Sequence, residues 1–190
     1  MLTLVALGKA LFLSWVFSEV AILIVTRTRS GEGEIKDRGS LLIQWIAMIA
    51  SINLGVRFGD SHAPTMFDGA EWIQFASLAF MIFGLAIRWT AVVSLGRSFS
   101  ANVAIRTEQR LQTDGLYRFV RHPSYLGLLL VLIAIGLHTR NWIGFAIVVI
   151  PTTAALSYRI HVEEQALRAA FGDVYAVYTS RTKRLLPGVY

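Results

Sequence analysis

Two short stretches hold the side chains of this chain best suited to chemistry. The first is Arg121-His122-Pro123-Ser124-Tyr125-Leu126-Gly127, at the mouth of an apolar run that continues to Leu137. The second is Arg159-Ile160-His161-Val162-Glu163-Glu164, at the end of the next apolar run. A residue before proline is pushed out of the α region, so His122 should be extended. Pro123 suits the first position of the helix that follows. The first turn of that helix would point unpaired N–H groups and a positive dipole end back at the preceding loop. That is a receptor for a carboxylate or for the polar atoms of a nucleotide. Gly127 would let another backbone or a ligand come close. In the second stretch Arg159 and Glu163 are i,i+4 on one helix face, and Glu164 and Arg168 on a neighbouring one. Each stretch alone also fits a plainer role: interfacial anchoring for the first, ordinary salt bridging on a helix leaving a membrane for the second.

The elements that must position these groups are membrane helices. Of the 190 residues 55% are hydrophobic and only 16% charged, with mean hydropathy +0.56; a soluble domain would carry about 25% charged residues. Five apolar segments are legible: about Leu2 to Val25, Leu41 to Val56, Trp72 to Leu95, Tyr125 to Leu137 and Trp142 to Tyr158. The first lacks a small-residue cleavage site after a short apolar core and reads as a retained helix, not a signal peptide. The fourth reaches only roughly 20 Å at ~1.5 Å per residue, against ~30 Å of hydrocarbon. Only His138 to Asn141 separates the last two, which predicts a tight antiparallel hairpin, with a kink at Pro151 in its second arm. The expected fold class is all-α integral membrane, about five transmembrane helices with a cytoplasmic helical C-terminal tail. The expected organisation is three N-terminal transmembrane segments over 1–95 and a catalytic membrane region over 96–190.

Charge and composition narrow the partners. There are no cysteines, hence no disulfide framework and no thiolate metal site. A net charge of +6 requires no nucleic-acid partner, because anionic lipid headgroups are the default neighbours of arginines in a membrane protein. Fourteen of the 18 Lys and Arg fall on one alternating set of connections: Arg27 to Arg38, Gly96 to Arg121, and the tail from Arg159. The opposite set holds only Arg57 and Arg140. The positive-inside rule then puts the N-terminus outside, and the long loop and the tail in the cytoplasm, where the two chemical stretches can meet. Asp60, His62, Asp68 and Glu71 read as an acidic extracytoplasmic loop and not a metal site. Gly31-Glu32-Gly33 lacks a preceding strand and reads as a flexible turn. Trp45, Trp72, Trp89 and Trp142 near segment ends fit an interfacial belt. Glu19 and Arg88 lie inside apolar segments, where ionisable groups are functional by default. Each also fits a structural role, Arg88 by snorkelling to the cytoplasmic end.

Read together, the motifs carry more. Arg121-His122-Pro123-Ser124-Tyr125-Leu126-Gly127, a hydrophobic hairpin, Glu163-Glu164-x-x-Leu167, and Phe171-Gly172-x-x-Tyr175-x-x-Tyr178 resemble the isoprenylcysteine carboxyl methyltransferase family. The resemblance covers about Ser94 to Tyr190. The first element also resembles one in membrane sterol and steroid reductases; the later two raise the methyltransferase reading above it. The resemblance implies a pocket for S-adenosylmethionine built from the last membrane helices and the tail, not a Rossmann domain. By position, cofactor contacts would fall on Tyr117, His122, Pro123, Ser124, Tyr125 and Glu163. The strip Gln109-Arg110-Leu111-Gln112 and Asn102 would also line the pocket, although the family often has histidine where Gln109 stands. Arg159 matches the family arginine that faces the acceptor carboxylate, which makes it the expected catalytic and substrate-binding group. The implied activity is carboxyl O-methylation of a prenylcysteine-like or other lipophilic acceptor entering from the bilayer. An ionised carboxylate needs no general base. A lipid amine would need one, with His122 or Glu164 as candidates. The competing readings are a phospholipid N-methyltransferase, an NADPH-dependent sterol reductase-like protein, and a non-catalytic scaffold or transporter.

Overall fold

A computed structural model of the chain describes residues 2–26, 34, 35, 37, 39–59, 66, 71–96, 104, 105, 111–186 and 188. Five helices account for nearly all of them: α1 (Leu2–Thr26), α2 (Ser40–Gly59), α3 (Trp72–Leu95), α4 (Pro123–His138) and α5 (Trp142–Arg181). The five apolar segments of the sequence thus appear as five helices. Four of them, α1, α2, α3 and α5, are long and apolar enough to cross a membrane. A two-residue antiparallel pair departs from the all-α expectation: β1 (Glu34–Ile35) on β2 (Ala104–Ile105), which ties the α1–α2 connection to the α3–α4 connection.

Backbone chemistry explains the boundaries. Pro123 opens α4 at its first position, as its fixed φ favours. His122 before it sits at φ −125°, ψ 58°, outside the α region but short of fully extended. The turn after α4 places Arg140 at φ 53°. Asn141 then caps α5, its side chain accepting from the N–H of Ile143 (2.8 Å) and Gly144 (3.0 Å). Helix α5 runs on through Pro151. Its break in helical dihedrals falls instead at Gly172, at φ 50°, ψ −124°, where glycine alone is at ease. The stretch of α5 from Trp142 to that break is roughly 45 Å long at ~1.5 Å per residue, longer than the ~30 Å of hydrocarbon. The half of α5 beyond Tyr158 is polar. That half carries Glu163, Glu164, Arg168 and Arg181.

Packing brings α3 onto α4, α2 onto α5 and α4 onto α5, with α1 resting mainly on α3. Small residues let the backbones meet. A Cβ on Gly127 would stand 2.6 Å from both Gly84 O and Arg88 N, so the close approach expected at Gly127 is made by the α3 backbone. The core holds Trp15, Met48, Met81, Leu128, Val131 and Leu132. Outward-facing apolar groups such as Phe17 (77% exposed) and Val25 (81%) are the surface a lipid would cover.

Candidate active site

The R-H-P turn is built as a socket for the tail. A short 3₁₀ turn, Gly115–Arg118, delivers the chain to it, and Tyr117 is buried there. Its carbonyl accepts from Tyr178 Oη at 2.7 Å, and its own hydroxyl donates to Ala91 O at 3.3 Å. Burial pushes the phenol of Tyr178 up to about 12 and that of Tyr117 higher still, so both remain neutral donors at physiological pH. After α5 the tail turns back. Val120 and Lys183 form a parallel bridge, Arg121 N donates to Lys183 O (2.8 Å), and His122 N donates to Arg184 O (3.0 Å).

Glu164 is the charge at the centre of this socket. It is 2% exposed. Its Oε1 accepts from Arg121 Nε at 2.8 Å and its Oε2 from Arg184 Nε at 3.0 Å. The i,i+4 spacing to Arg168 pointed to a surface pair, but α5 turns Glu164 inward instead. Burial opposes its ionisation, yet His122, Arg184 and Arg121 outweigh burial and hold the carboxyl well below the usual range. Arg121 also donates to the carbonyls of Thr179 and Thr182.

Next to this socket lies a second, less satisfied set of groups. His122 is buried and stacks on Tyr125, ring centroids 5.6 Å apart. Its Nδ1 lies 3.9 Å from Glu163 Oε2 and its Nε2 3.5 Å from Glu164 Oε1. Nε2 faces the Glu164 carboxylate and makes no shorter hydrogen bond. Tyr125 Oη donates to Glu163 Oε2 at 2.7 Å and accepts from Arg159 Nε at 2.9 Å. The i,i+4 pair Arg159 and Glu163 is thus joined by a tyrosine hydroxyl between them.

Arg159 is 2% exposed. Besides Tyr125 it reaches Ser40 Oγ (3.0 Å) and Asp37 Oδ2 (3.5 Å) with its NH1 group. Asp37 accepts from the N–H of Gly39 (3.0 Å) and of Ser40 (2.9 Å), capping the start of α2, and from the Ser40 hydroxyl. Burial opposes its ionisation; the Ser40 and Gly39 hydrogen bonds and Arg159 outweigh it and keep the carboxyl below its ordinary value. A small cavity opens beside these groups. Its lining draws on all five helices: Glu19 and Ile22 of α1, Gln44 and Met48 of α2, Arg88 of α3, Tyr125 of α4 and Arg159 of α5.

The structure therefore gathers His122, Pro123, Tyr125, Arg159 and Glu163 at one place. Ser124 lies in the same turn but faces the other way: its Oγ and carbonyl accept from Arg88 NH1, at 2.8 Å and 3.1 Å. Leu111 and Gln112 are half-buried on the approach to the 3₁₀ turn. Asn102, Gln109 and Arg110 lie outside the described residues, as do Asp60, His62, Asp68 and Gly31 to Gly33. One expectation needs correction. Arg88 does not snorkel to a membrane surface; it is buried and paired with Glu19, NH2 to Oε2 at 2.6 Å and Nε to Oε1. Trp45 lines the cavity. Sequence reasoning missed Asp37, Ser40 and Arg184 altogether. An Asp three residues ahead of Ser40 and an apolar run was the available signal for the first two.

Known proteins share both the motifs and the architecture. Residues 77–169 match the model of the isoprenylcysteine carboxyl methyltransferase family. Protein-S-isoprenylcysteine O-methyltransferase B of Arabidopsis thaliana is 33% identical over 120 residues, 62% of this chain and 61% of that protein. Protein-S-isoprenylcysteine O-methyltransferase A of the same plant is 26% identical over 184 residues, 94% of this chain and 92% of that one. A solved structure described as the eukaryotic intramembrane Ras methyltransferase ICMT superposes with a TM-score of 0.58. It has 24% identity and covers 78% of this chain and 52% of that one, a likeness of fold. The chain spans about three-fifths of the length of the relative it matches at 33% identity. By sequence the region 77–169 is similar to the isoprenylcysteine carboxyl methyltransferase family, the fold resembles that of a solved member, and the chain is a multi-pass membrane protein.

Proposed function

We propose that this chain is a membrane methyltransferase that transfers a methyl group from S-adenosylmethionine to the carboxylate of a prenylcysteine-like or similarly lipophilic acceptor. The observation that carries the reading is the Arg159–Tyr125–Glu163 chain of contacts. It joins a buried guanidinium that lines a small cavity of mixed polar and apolar walls to a carboxylate and a histidine on the loop side.

The groups present suit the cofactor. His122 turns Nε2 to Glu164 and Nδ1 toward Glu163, whose side chain is 30% exposed. The start of α4 adds the positive end of its dipole, while its Tyr125 and Leu126 N–H groups already donate to His122 O at 3.1 and 3.0 Å. When bound, S-adenosylmethionine supplies an electrophilic methyl on a positively charged sulfur. His122 and the α4 start would bind its polar atoms, and Glu163 would hold its positive groups. Arg159 would grip the acceptor carboxylate through a charge-assisted pair in a water-poor cavity, where such a pair is strong. Tyr125 would set the distance between the two. The acceptor oxygen held by Arg159 would take that methyl carbon as the C–S bond breaks, with the bonding pair left on the sulfur. No proton moves. Holding the reactants aligned is then the protein's main contribution.

A lipid amine would need a base, and of the two candidates Glu164 is a poor one, its carboxyl held well below the usual range by His122, Arg184 and Arg121. The acceptor would enter sideways between helices, and the cofactor from the cytoplasm. The test is methyl transfer from labelled S-adenosylmethionine by the purified chain in nanodiscs, with N-acetyl-S-farnesylcysteine beside phosphatidylethanolamine. Label in the farnesylcysteine methyl ester is expected. Label in the phospholipid instead would replace this reading with N-methylation. Calorimetric binding of NADPH without S-adenosylhomocysteine would replace it with a reductase.

A further inference from the structure

Both cations of the acceptor cavity already have anionic partners. Arg88 and Arg159 line it, Glu19 sits on the first, Asp37 sits on the second, and Glu163 reaches the second through the Tyr125 hydroxyl. An incoming carboxylate would add an anion for which neither cation is free. Leaving a buried charge uncompensated costs several kcal/mol, so the acceptor must displace one of the resident carboxylates. Asp37 is the harder to move. It accepts two backbone N–H groups at the start of α2, together with the Ser40 hydroxyl. Among the described residues, Glu19 relies on Arg88 alone, through a two-pronged pair. It also rides on α1, which packs chiefly on α3 and contributes Ile22 and Leu23 to the same cavity wall.

From this we infer that Glu19 is a built-in stand-in for the acceptor carboxylate, holding Arg88 while the acceptor is absent and yielding it when the ionised acceptor arrives. The inference rests on the carboxyl O-methylation reading and names a second acceptor-binding group, Arg88. The guanidinium of Arg88 suits that role. Its NH1 stays on Ser124 of the R-H-P turn while Nε and NH2, now on Glu19, carry the exchangeable carboxylate. The same exchange drives release. Methylation turns the acceptor anion into a neutral ester, which no longer competes for Arg88. Glu19 then returns, and α1 closes its side of the cavity behind the departing product.

The test compares binding of N-acetyl-S-farnesylcysteine with binding of its neutral carboxamide, using wild type and Glu19→Gln in nanodiscs. Removing the resident carboxylate should tighten the acid about tenfold, a coupling of ordinary size, and leave the carboxamide within about twofold. Steady-state kinetics should show a lower KM for the acid and a lower kcat, because expulsion of the ester is slowed. S-adenosylhomocysteine binding monitors the fold. Where the glutamine variant does not fold, Glu19→Asp, which retracts the carboxylate by one methylene, should shift the acid in the same direction by a smaller factor. Equal shifts for acid and amide, or none, would make Glu19 a structural tie and overturn the inference while the methyltransferase reading stands. A wild-type chain that binds neither compound would overturn both.

Discussion

At the scale of single residues, Arg159 and Glu164 make opposite predictions. Arg159→Ala should nearly abolish methyl transfer while S-adenosylhomocysteine binding stays measurable, because the guanidinium lines the cavity proposed for the acceptor. Tyr125→Phe keeps the stacking on His122 but removes the hydroxyl between Arg159 and Glu163. It should cut kcat by about tenfold, the scale of one lost positioning hydrogen bond of ~1.4 kcal/mol. Glu164 is instead a pH-dependent brace. Its folded carboxyl lies below the ordinary value of 4.5, so the stability it contributes is present above that value and is lost as pH falls through it towards the lower folded value. Melting temperature in detergent should therefore drop steeply below about pH 4.5. Glu164→Gln should melt lower at pH 7 and show a shallower acid slope; an unchanged slope would remove Glu164 from the acid transition. The difference between Glu163 and Glu164 was invisible in the sequence. Adjacent residues on a helix face about 100° apart, and only the returning tail, with Arg184, shows which one is enclosed.

Among the elements, helix identity and order were legible and depth of burial was not. The hydropathy of each run marked five segments, and proline, asparagine and glycine marked the ends of α4 and α5. The fate of α5 beyond Tyr158 was harder, because its helix continues after its apolar stretch stops, and continuity depends on packing against the R-H-P turn. Pro151 was expected to be the weak point, and Gly172 is where the dihedrals break. The α3–α4 contact is the most constrained of the helix pairs. Gly84 and Gly127 allow the two backbones to touch, and a methyl on Gly127 would meet the α3 backbone itself, which has no rotamer to give. Gly127→Ala should therefore cost about 1–3 kcal/mol and push α4 away from α3, displacing Ser124 from Arg88. A lowered melting temperature with weakened S-adenosylhomocysteine binding is expected. Full stability in the variant would mean that the helices stand farther apart than described.

Across the whole molecule, every helix contributes to one cavity, so the polar ends of α3, α4 and α5 and the segment before α2 must lie on one side of the bilayer. The C-terminal motifs announced half of that site. The N-terminal half did not, since Asp37, Ser40 and Glu19 matter through the partners they meet and not through any motif of their own. Isolated Glu19 and Arg88 in two apolar segments were the visible sign that those segments adjoin, because an unpaired charge at such depth is costly. The side of the bilayer proposed for the site rests on the arginines. Fourteen of 18 Lys and Arg fall on the connections at the site's end of the molecule, which the positive-inside rule assigns to the cytoplasm. The chain offers a clean background for testing this, as it has no cysteine. A single Thr3→Cys should react with a membrane-impermeant maleimide on intact cells. A single Ser180→Cys, on the exposed face of the tail, should react only after permeabilisation. The reverse pattern would put the site outside, away from cytoplasmic S-adenosylmethionine, and with it the proposed cofactor route would fail.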